Sequence, residues 1–464
     1  MDGSCTDSAE NQNDKGADKI RAFENEFCRF GLGARPTLEV TDPIIKTRIR
    51  DEETRQRVTL GLIPSENIAS SAVFEAVGSI LMSKYAEGLP DARYYPGCGV
   101  VDQVENTAIE RAKSAFGVKF ANVQPHAGAQ ANMAAYAGII KYRKLGKEPL
   151  KNFRVLGLDL KNGGHLTHGA KVNFSGSWFA SFTYEVDPET QRFNFDRIAA
   201  QALEVKPHVI VAGATAYPCV IDFGKFREIA DSAGALLMVD MAHIAGLIAG
   251  GAHPSPVPYA DIITSTTHKT LRGTRGGMVL VPSNEELAAA VNKAVFPFLQ
   301  GGPLMHEIAG KAVALREASE PEFAAYAQAI VQNSRVLAES LLGHGFRLVA
   351  GGSENHLMLI DLRETEMTGK QAQDALQEAG IIANMNTVPG DPRKADETSG
   401  VRLGTPLVTT RGMGPDEMKS IAGFIKEVLA NPIEQTIRRV RADVGEFASS
   451  FPLFHPEWIG LPVE

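Results

Sequence analysis

The sequence predicts an α/β fold: a mostly parallel sheet covered by helices on both faces, followed by a smaller α+β domain. Two observations carry this. Between about residues 61 and 315, short apolar runs rich in β-branched residues alternate with stretches of helical periodicity. Two of those runs, Leu236–Asp240 and Ile262–Thr267, end in polar residues, so two buried strands deliver an Asp and, just downstream, Lys269 to one edge of the sheet. Residues 244–260 between them leave room for a crossover joining neighbouring parallel strands.

In chain order, residues 1–60 read as a tail and arm. The first 33 or so are rich in Asp, Asn, Gly and Ser, with helical character near Ile20–Phe30, and Pro43 suits the first turn of a helix over 42–60. Residues 61–315 read as the large domain. Its expected strands are 154–158, 209–214, 236–240, 262–267 and 278–281, and a helix is expected over 226–233. A long helical region over 309–342 leads into the small domain, 316–464. Strands are expected there at 346–349, 356–361 and 400–403, and helices at 369–379 and 415–429.

Composition sets the class. The 464 residues are 44% hydrophobic and 22% charged, ordinary for a globular protein. A formal charge of -8 disfavours nucleic acid or an anionic membrane as the default partner. No apolar run approaches the roughly 20 residues of a membrane span. The N-terminus lacks the look of a secretion signal or a mitochondrial presequence, and Cys5, Cys28, Cys98 and Cys219 are scattered without a CxxC. Together these lead us to expect reduced thiols in a cytoplasmic protein.

The chemistry starts from Lys269 and Asp240. A lysine amine condenses with an aldehyde, and pyridoxal phosphate (PLP) uses such a lysine together with an acid opposite its ring nitrogen. At about 4 Å and an effective dielectric near 20, that carboxylate–pyridinium attraction is about 4 kcal/mol. Taken alone, His268-Lys269 after a strand also reads as a plain loop, and Asp240 as a helix cap. Arg275, in the Gly-rich turn that follows, reads equally as a surface arginine.

Other segments carry candidate groups. Gln124-Pro125-His126-Ala127-Gly128-Ala129-Gln130-Ala131-Asn132 is a small-residue turn opening a helix, where backbone amides hold a phosphate or simply start the helix. Gly163-Gly164-His165-Leu166-Thr167-His168-Gly169 offers two histidines three apart. A zinc pair is the other reading, and no third ligand is evident nearby in the chain, so no metal is expected. Lys84-Tyr85-Ala86-Glu87-Gly88 and Arg93-Tyr94-Tyr95-Pro96-Gly97-Cys98 put a Glu and tyrosines on small-residue loops. In Thr398-Ser399-Gly400-Val401-Arg402-Leu403-Gly404-Thr405-Pro406, a guanidinium is available to fork onto a carboxylate.

These strings, with Val239-Asp240-Met241-Ala242-His243 and Thr266-Thr267-His268-Lys269-Thr270-Leu271-Arg272-Gly273, resemble serine hydroxymethyltransferases over roughly residues 42–454. The resemblance implies PLP fold type I, with a mostly parallel seven-stranded sheet in the large domain. It implies reversible transfer of the serine hydroxymethyl carbon to tetrahydrofolate, giving glycine and 5,10-methylenetetrahydrofolate. Lys269 would hold PLP, Asp240 would face its ring nitrogen, and His165 would stack on the ring. His243, Thr215, Thr266, His268, Gly128 and Ala129 would complete the cofactor contacts. Arg402 and Ser65 (in Pro64-Ser65-Glu66-Asn67) would grip the substrate carboxylate.

Glu87 would be the general acid/base, Tyr95 a substrate contact and Tyr85 a phosphate contact. Leu160, Gly164 and Asn386 (in Ala383-Asn384-Met385-Asn386-Thr387) would meet the folate. Gly302, in Phe296-Pro297-Phe298-Leu299-Gln300-Gly301-Gly302-Pro303, would reach the phosphate; the resemblance implies a homodimer or a tetramer in which Tyr85, Glu87, Tyr95 and Gly302 come from the partner chain.

The chain departs from the family pattern at Pro64, Ala127, Ala129, Thr215, Phe298, Met385 and Thr387. Loss of a hydroxyl donor to a charged group at Ala127 or Ala129 costs roughly 1.5–3 kcal/mol. Met385 and Thr387 bear on folate affinity, while the other five leave room for an α-methylserine hydroxymethyltransferase or a folate-independent aldolase or transaldolase of β-hydroxy amino acids. A non-catalytic scaffold relative is disfavoured by the presence of Lys269, Asp240, Glu87 and Arg402.

Overall fold

A computed structural model describes residues 38–453. The helical character expected near residues 20–30 lies outside them, as do Cys5 and Cys28. The described residues divide into two units, 38–58 and 59–453. In the first unit, a helix runs over Pro43–Arg57. The Asp42 carboxylate caps it by accepting from the Ile45 amide, and Pro43 stands in its first turn.

The second unit is built on a seven-stranded sheet: β1 Phe120–Asn122, β2 Arg154–Leu158, β3 Ala180–Tyr184, β4 Val209–Ala212, β5 Leu236–Asp240, β6 Ile262–Thr266 and β7 Gly277–Val281. Their order across the sheet is β1-β7-β6-β5-β4-β2-β3. The run from β6 to β3 is parallel, while β7 lies antiparallel to both β6 and β1. β5 and β6 are parallel neighbours, as their spacing predicts, with Asp240 opposite Thr264.

Alternate residues of the central strands enter separate cores. Leu156, Ile210, Leu237, Val239 and Ile263 face one cluster; Val155, Val209, Val211, Met238 and Ile262 face the other. Both faces are therefore dry, which is why these strands read as continuous apolar runs. Helices Gly99–Phe116, Phe223–Ala233 and Met305–Glu317 cover the first face; Gly128–Tyr142 and Glu285–Lys293 cover the second.

A second, antiparallel sheet has the order β8-β9-β11-β10: β8 Arg347–Leu348, β9 Leu357–Asp361, β10 Asn384–Asn386 and β11 Gly400–Gly404. Met358, Ile360, Val401 and Leu403 pack on Leu376, Ile421, Ile425 and Val440 of helices Gly369–Glu378, Pro415–Ala430 and Glu434–Ser449.

Several elements differ from expectation. The strand expected over 209–214 stops at Ala212, because Gly213 takes a φ of 149° and passes so close to the Asp240 carbonyl that a Cβ would lie 2.3 Å from it. The helix expected over 309–342 is two helices, Met305–Glu317 and Pro321–Gly343, since Pro321 starts a new first turn. β1, β3 and β10 were not expected: β1 and β10 have only three residues each, and β3 is a half-covered edge. Among the described residues no helix is long and apolar enough to cross a membrane.

Leu237, fully buried on central β5, tests the core. Leu237→Ala should destabilise the fold by about 2–5 kcal/mol, read as a fall in the urea midpoint at unchanged slope. A loss below about 1 kcal/mol would mean that this strand is not the packed centre described.

Candidate active site

A cavity of about 270 Å³ opens at the carboxyl ends of β4, β5 and β6, where open α/β sheets bind ligands. Gly128, Ala129, His165, Thr215, Asp240, His243, Thr266, His268, Lys269 and Arg275 line it, so nearly all the expected cofactor residues come together. Asp240 is the last residue of β5, and Lys269 lies three residues beyond β6.

The Asp240 carboxylate is held by three donors. Its Oδ2 accepts from Asn132 Nδ2 at 2.8 Å and His168 Nε2 at 3.0 Å, and its Oδ1 accepts from the Ala242 amide at 3.0 Å. Burial alone would raise this carboxyl. The His168 hydrogen bond, with the influence of His165 and Lys269, outweighs burial and holds it well below the usual range. On its other side, His168 Nδ1 is hydrogen-bonded to the Tyr136 hydroxyl at 2.7 Å.

The same Asn132 also fixes His165. Asn132 Nδ2 donates to Thr167 Oγ1 at 2.8 Å, and that hydroxyl lies 2.6 Å from His165 Nδ1. The Thr167 amide donates to the same nitrogen at 3.3 Å, so Nδ1 is an acceptor and the ring proton sits on Nε2. His165, His168 and Asp240 also bring ligand atoms within 4.8 Å of one another. A third potential ligand, missing nearby in the chain, is therefore supplied in space by Asp240, and the hydrogen bonds above already use its oxygens.

The Lys269 amine is buried. Burial, and then Arg402 and Arg275, push it down to about 8 against the pull of Asp240, leaving a substantial unprotonated fraction near neutral pH. Its carbonyl accepts from Asn67 Nδ2 at 2.9 Å, and Asn67 is tied to the Tyr326 and Thr410 hydroxyls. His268, beside it, is pushed down to about 3 by burial and by Arg275. His243 Nδ1 lies 3.2 Å from His356 Nε2, and burial keeps both rings neutral. The Thr215 hydroxyl donates to the Gly163 and Gly164 carbonyls, so it braces the His165 loop.

Arg402, on β11, is aimed by Asn384 and by the Thr215 carbonyl, to which its Nη1 donates at 2.7 Å. The segment that carries Ser65 runs along the same strand: the Gly404 amide donates to the Leu62 carbonyl, and a Cβ on Gly404 would lie 2.6 Å from Pro64. Thr387 Oγ1 donates to the Lys161 carbonyl, joining the segments that carry Leu160, Gly164 and Asn386. Tyr85, Glu87, Tyr95 and Gly302 are not in the cavity wall. They form a separate cluster: the Tyr85 and Tyr95 rings meet edge-on at 5.3 Å, Gly302 abuts Tyr85, and Gly301 abuts Glu87. Tyr85 is 59% and Tyr95 43% exposed.

These residues fit PLP. A buried amine and a buried carboxylate face one cavity from adjacent strands. Opposite them the helix Gly128–Tyr142 begins at Ala127 with no side-chain cap, leaving first-turn amides for a phosphate. A Cβ on Gly128 would fall 2.6 Å from the Thr266 methyl, so the turn can approach β6 only as glycine. Sequence reading gave no role to Asn67, Tyr136, Thr167, His356 or Asn384. Asn132 and His168 stand inside quoted motifs, and their types were the available signal.

Comparison with known proteins agrees with this geometry. The family model of serine hydroxymethyltransferase matches residues 38–425. The curated protein named serine hydroxymethyltransferase 2, from Rhodopseudomonas palustris (strain ATCC BAA-98 / CGA009), is 51% identical over 420 residues, covering 90% of this chain and 94% of that protein. With a match over most of its length and a site assembled from the matching segments, the chain belongs to the serine hydroxymethyltransferase family.

Proposed function

We propose that this chain is a PLP-dependent hydroxymethyltransferase that moves the hydroxymethyl carbon of serine reversibly to tetrahydrofolate, leaving glycine and 5,10-methylenetetrahydrofolate. The observation that carries the reading is the meeting of Lys269 and Asp240 in one buried cavity within a family-matched chain. When bound, PLP supplies an aldehyde for the lysine amine and a ring that withdraws charge from the substrate α-carbon.

The chain's own residues then have distinct tasks. Lys269, with its lowered affinity for protons, provides a nucleophilic amine. Asp240 stays ionised and keeps a ring nitrogen protonated. His165, locked by Thr167, presents a flat neutral ring for stacking. Arg402, pre-aimed by Asn384 and Thr215, forks onto the substrate carboxylate with help from Ser65. Glu87 handles the proton of the hydroxymethyl group, Tyr95 orients it, and Leu160, Gly164 and Asn386 receive the folate. Gly128, Ala129, Thr266 and His268 would hold the phosphate end, and His243 would lie near the cofactor or the substrate hydroxyl.

The separate cluster of Tyr85, Glu87, Tyr95 and Gly302 supports a homodimer in which each chain completes its partner's site. Exposed Tyr94 and Phe298 nearby supply apolar surface for such an interface. A cytoplasmic setting suits the substrates.

Three outcomes follow from this reading. Serine cleavage should rise at least about tenfold when tetrahydrofolate is added, with α-methylserine and threonine turned over more slowly. Cleavage indifferent to folate, or a preference for α-methylserine, would transfer the chain to one of the sister activities. Glu87→Gln should keep the cofactor's visible absorbance yet lose folate-dependent transfer by about 10²-fold or more; normal transfer would remove Glu87 from the chemistry. Mixing inactive Lys269→Ala and Glu87→Gln proteins should restore about one quarter of wild-type activity, because one site of each mixed dimer is then intact. No recovery after subunit exchange would place both residues of a site on one chain.

A further inference from the structure

Lys311 is buried deep in the second unit, 2% exposed, on the helix Met305–Glu317 between the apolar Ile308 and Leu315. A cation in such a place is costly unless its hydrogens are satisfied. They are: Nζ donates to the carbonyls of Val123 at 2.6 Å, Gly277 at 2.9 Å and Pro125 at 3.0 Å. Three donors meet three acceptors, which is the full capacity of an ammonium. Burial pushes the amine down to about 7, with Glu307 and Glu105 pulling the other way. The three carbonyls can only accept, and so favour the charged form.

The place of those carbonyls matters. Val123 and Pro125 lie on the segment that runs into the uncapped first turn at Gly128 and Ala129. Gly277 opens β7, and its amide donates to the same Pro125 carbonyl that Lys311 holds. Gln300 grips this segment from its other side, accepting from the His126 amide and donating to the Gln124 carbonyl. A Cβ on Gly276 would lie 2.3 Å from Lys311 Cε, so the turn after Lys269 is shaped around this side chain. No carboxylate forms an ion pair with Lys311 among the described residues, and its charge is felt at His126 and at cavity-lining His268.

We propose that Lys311 is a positioning residue and buried counter-charge for the phosphate end of the cofactor: its ammonium clamps segment 123–128 so that the Gly128 and Ala129 amides face the cavity, and its field favours a dianion there. This rests on the PLP reading above. Neither Ala127 nor Ala129 has a side-chain donor for an anion, so the backbone amides and a cation one layer below carry more of the recognition.

The test compares two aldehydes on the full-length protein freed of cofactor: PLP, and pyridoxal, which has the same ring and no phosphate. Binding is followed by the visible absorbance that develops at Lys269. For Lys311→Met, PLP affinity should fall by about tenfold or more while pyridoxal affinity changes by less than about threefold. Gly276→Ala, whose new methyl displaces the lysine terminus, should show the same selective loss and serves where Lys311→Met does not fold. Equal losses for both aldehydes, or no loss for either, would overturn the proposal and leave Lys311 a purely structural group. If the wild type captures neither aldehyde, the PLP reading itself fails, a different result from an unchanged ratio in the variants.

Discussion

The site depends on a carboxylate that stays charged where burial should neutralise it. Asp240 has little contact with solvent, and an isolated carboxylate there would take up a proton. Asn132, His168 and the Ala242 amide prevent this by donating to both oxygens. The consequences spread outward. His168 donates from Nε2 to Asp240, and its other nitrogen is tied to the Tyr136 hydroxyl. Because Asn132 serves Asp240 with one hydrogen and Thr167 with the other, the Thr167 hydroxyl is turned toward His165 and sets that ring's tautomer. Thr264 on β6 donates to the Asn132 oxygen and closes the network against the sheet. One charge thus fixes six side chains on the helix Gly128–Tyr142, the 165–168 segment and β6.

The backbone obeys the same requirement for close approach. For the carboxyl ends of β4 and β5 to converge on the cavity, Gly213 must pass the Asp240 carbonyl without a Cβ. The Lys269 loop is held from the opposite side by Asn67, which bonds its carbonyl while sharing the Tyr326 hydroxyl with Thr410. Asn67 and Thr410 are 343 residues apart in the chain, so the loop's position reports on the folding of the whole second unit.

Much of this was legible because strands buried on both faces are continuous apolar runs, and their polar exits mark the ligand edge. β2 and β5 have the expected bounds; Asp240 stands at such an exit and Lys269 three residues past one, while His165 follows the end of β2 by seven. What escaped had no such signature. β3 mixes Ser, Phe, Thr and Tyr at a half-covered edge, and β1 and β10 are too short for a period to show. The supporting groups escaped for a different reason. Tyr136 and Lys311 lie within helices whose pattern explains them as core or as a misplaced charge, and His356 sits just before a strand of the second sheet. Only the tertiary fold brings them to the cofactor segments. Tyr85, Glu87, Tyr95 and Gly302 could be recognised by their strings, but no pattern in the sequence told that they would cluster apart from the cavity.

The balance of charge explains what the cavity is built to receive. Asp240 is the one carboxylate in its lining, against Lys269 and Arg275, with Arg402 and Lys311 close behind. Three histidines in this field bind a proton weakly. Burial is the first cause and the neighbouring cations add to it, pushing His165 to about 4 and His268 and His356 each to about 3. The histidines are thereby removed from the charge count and left as neutral rings for stacking and hydrogen bonding. What remains is a surplus of fixed positive charge in a low-dielectric pocket, a costly arrangement unless anions enter. On the reading proposed above, an amino acid bearing a carboxylate and a cofactor bearing a phosphate would satisfy it together, the carboxylate at Arg402 and the phosphate at the helix amides above Lys311.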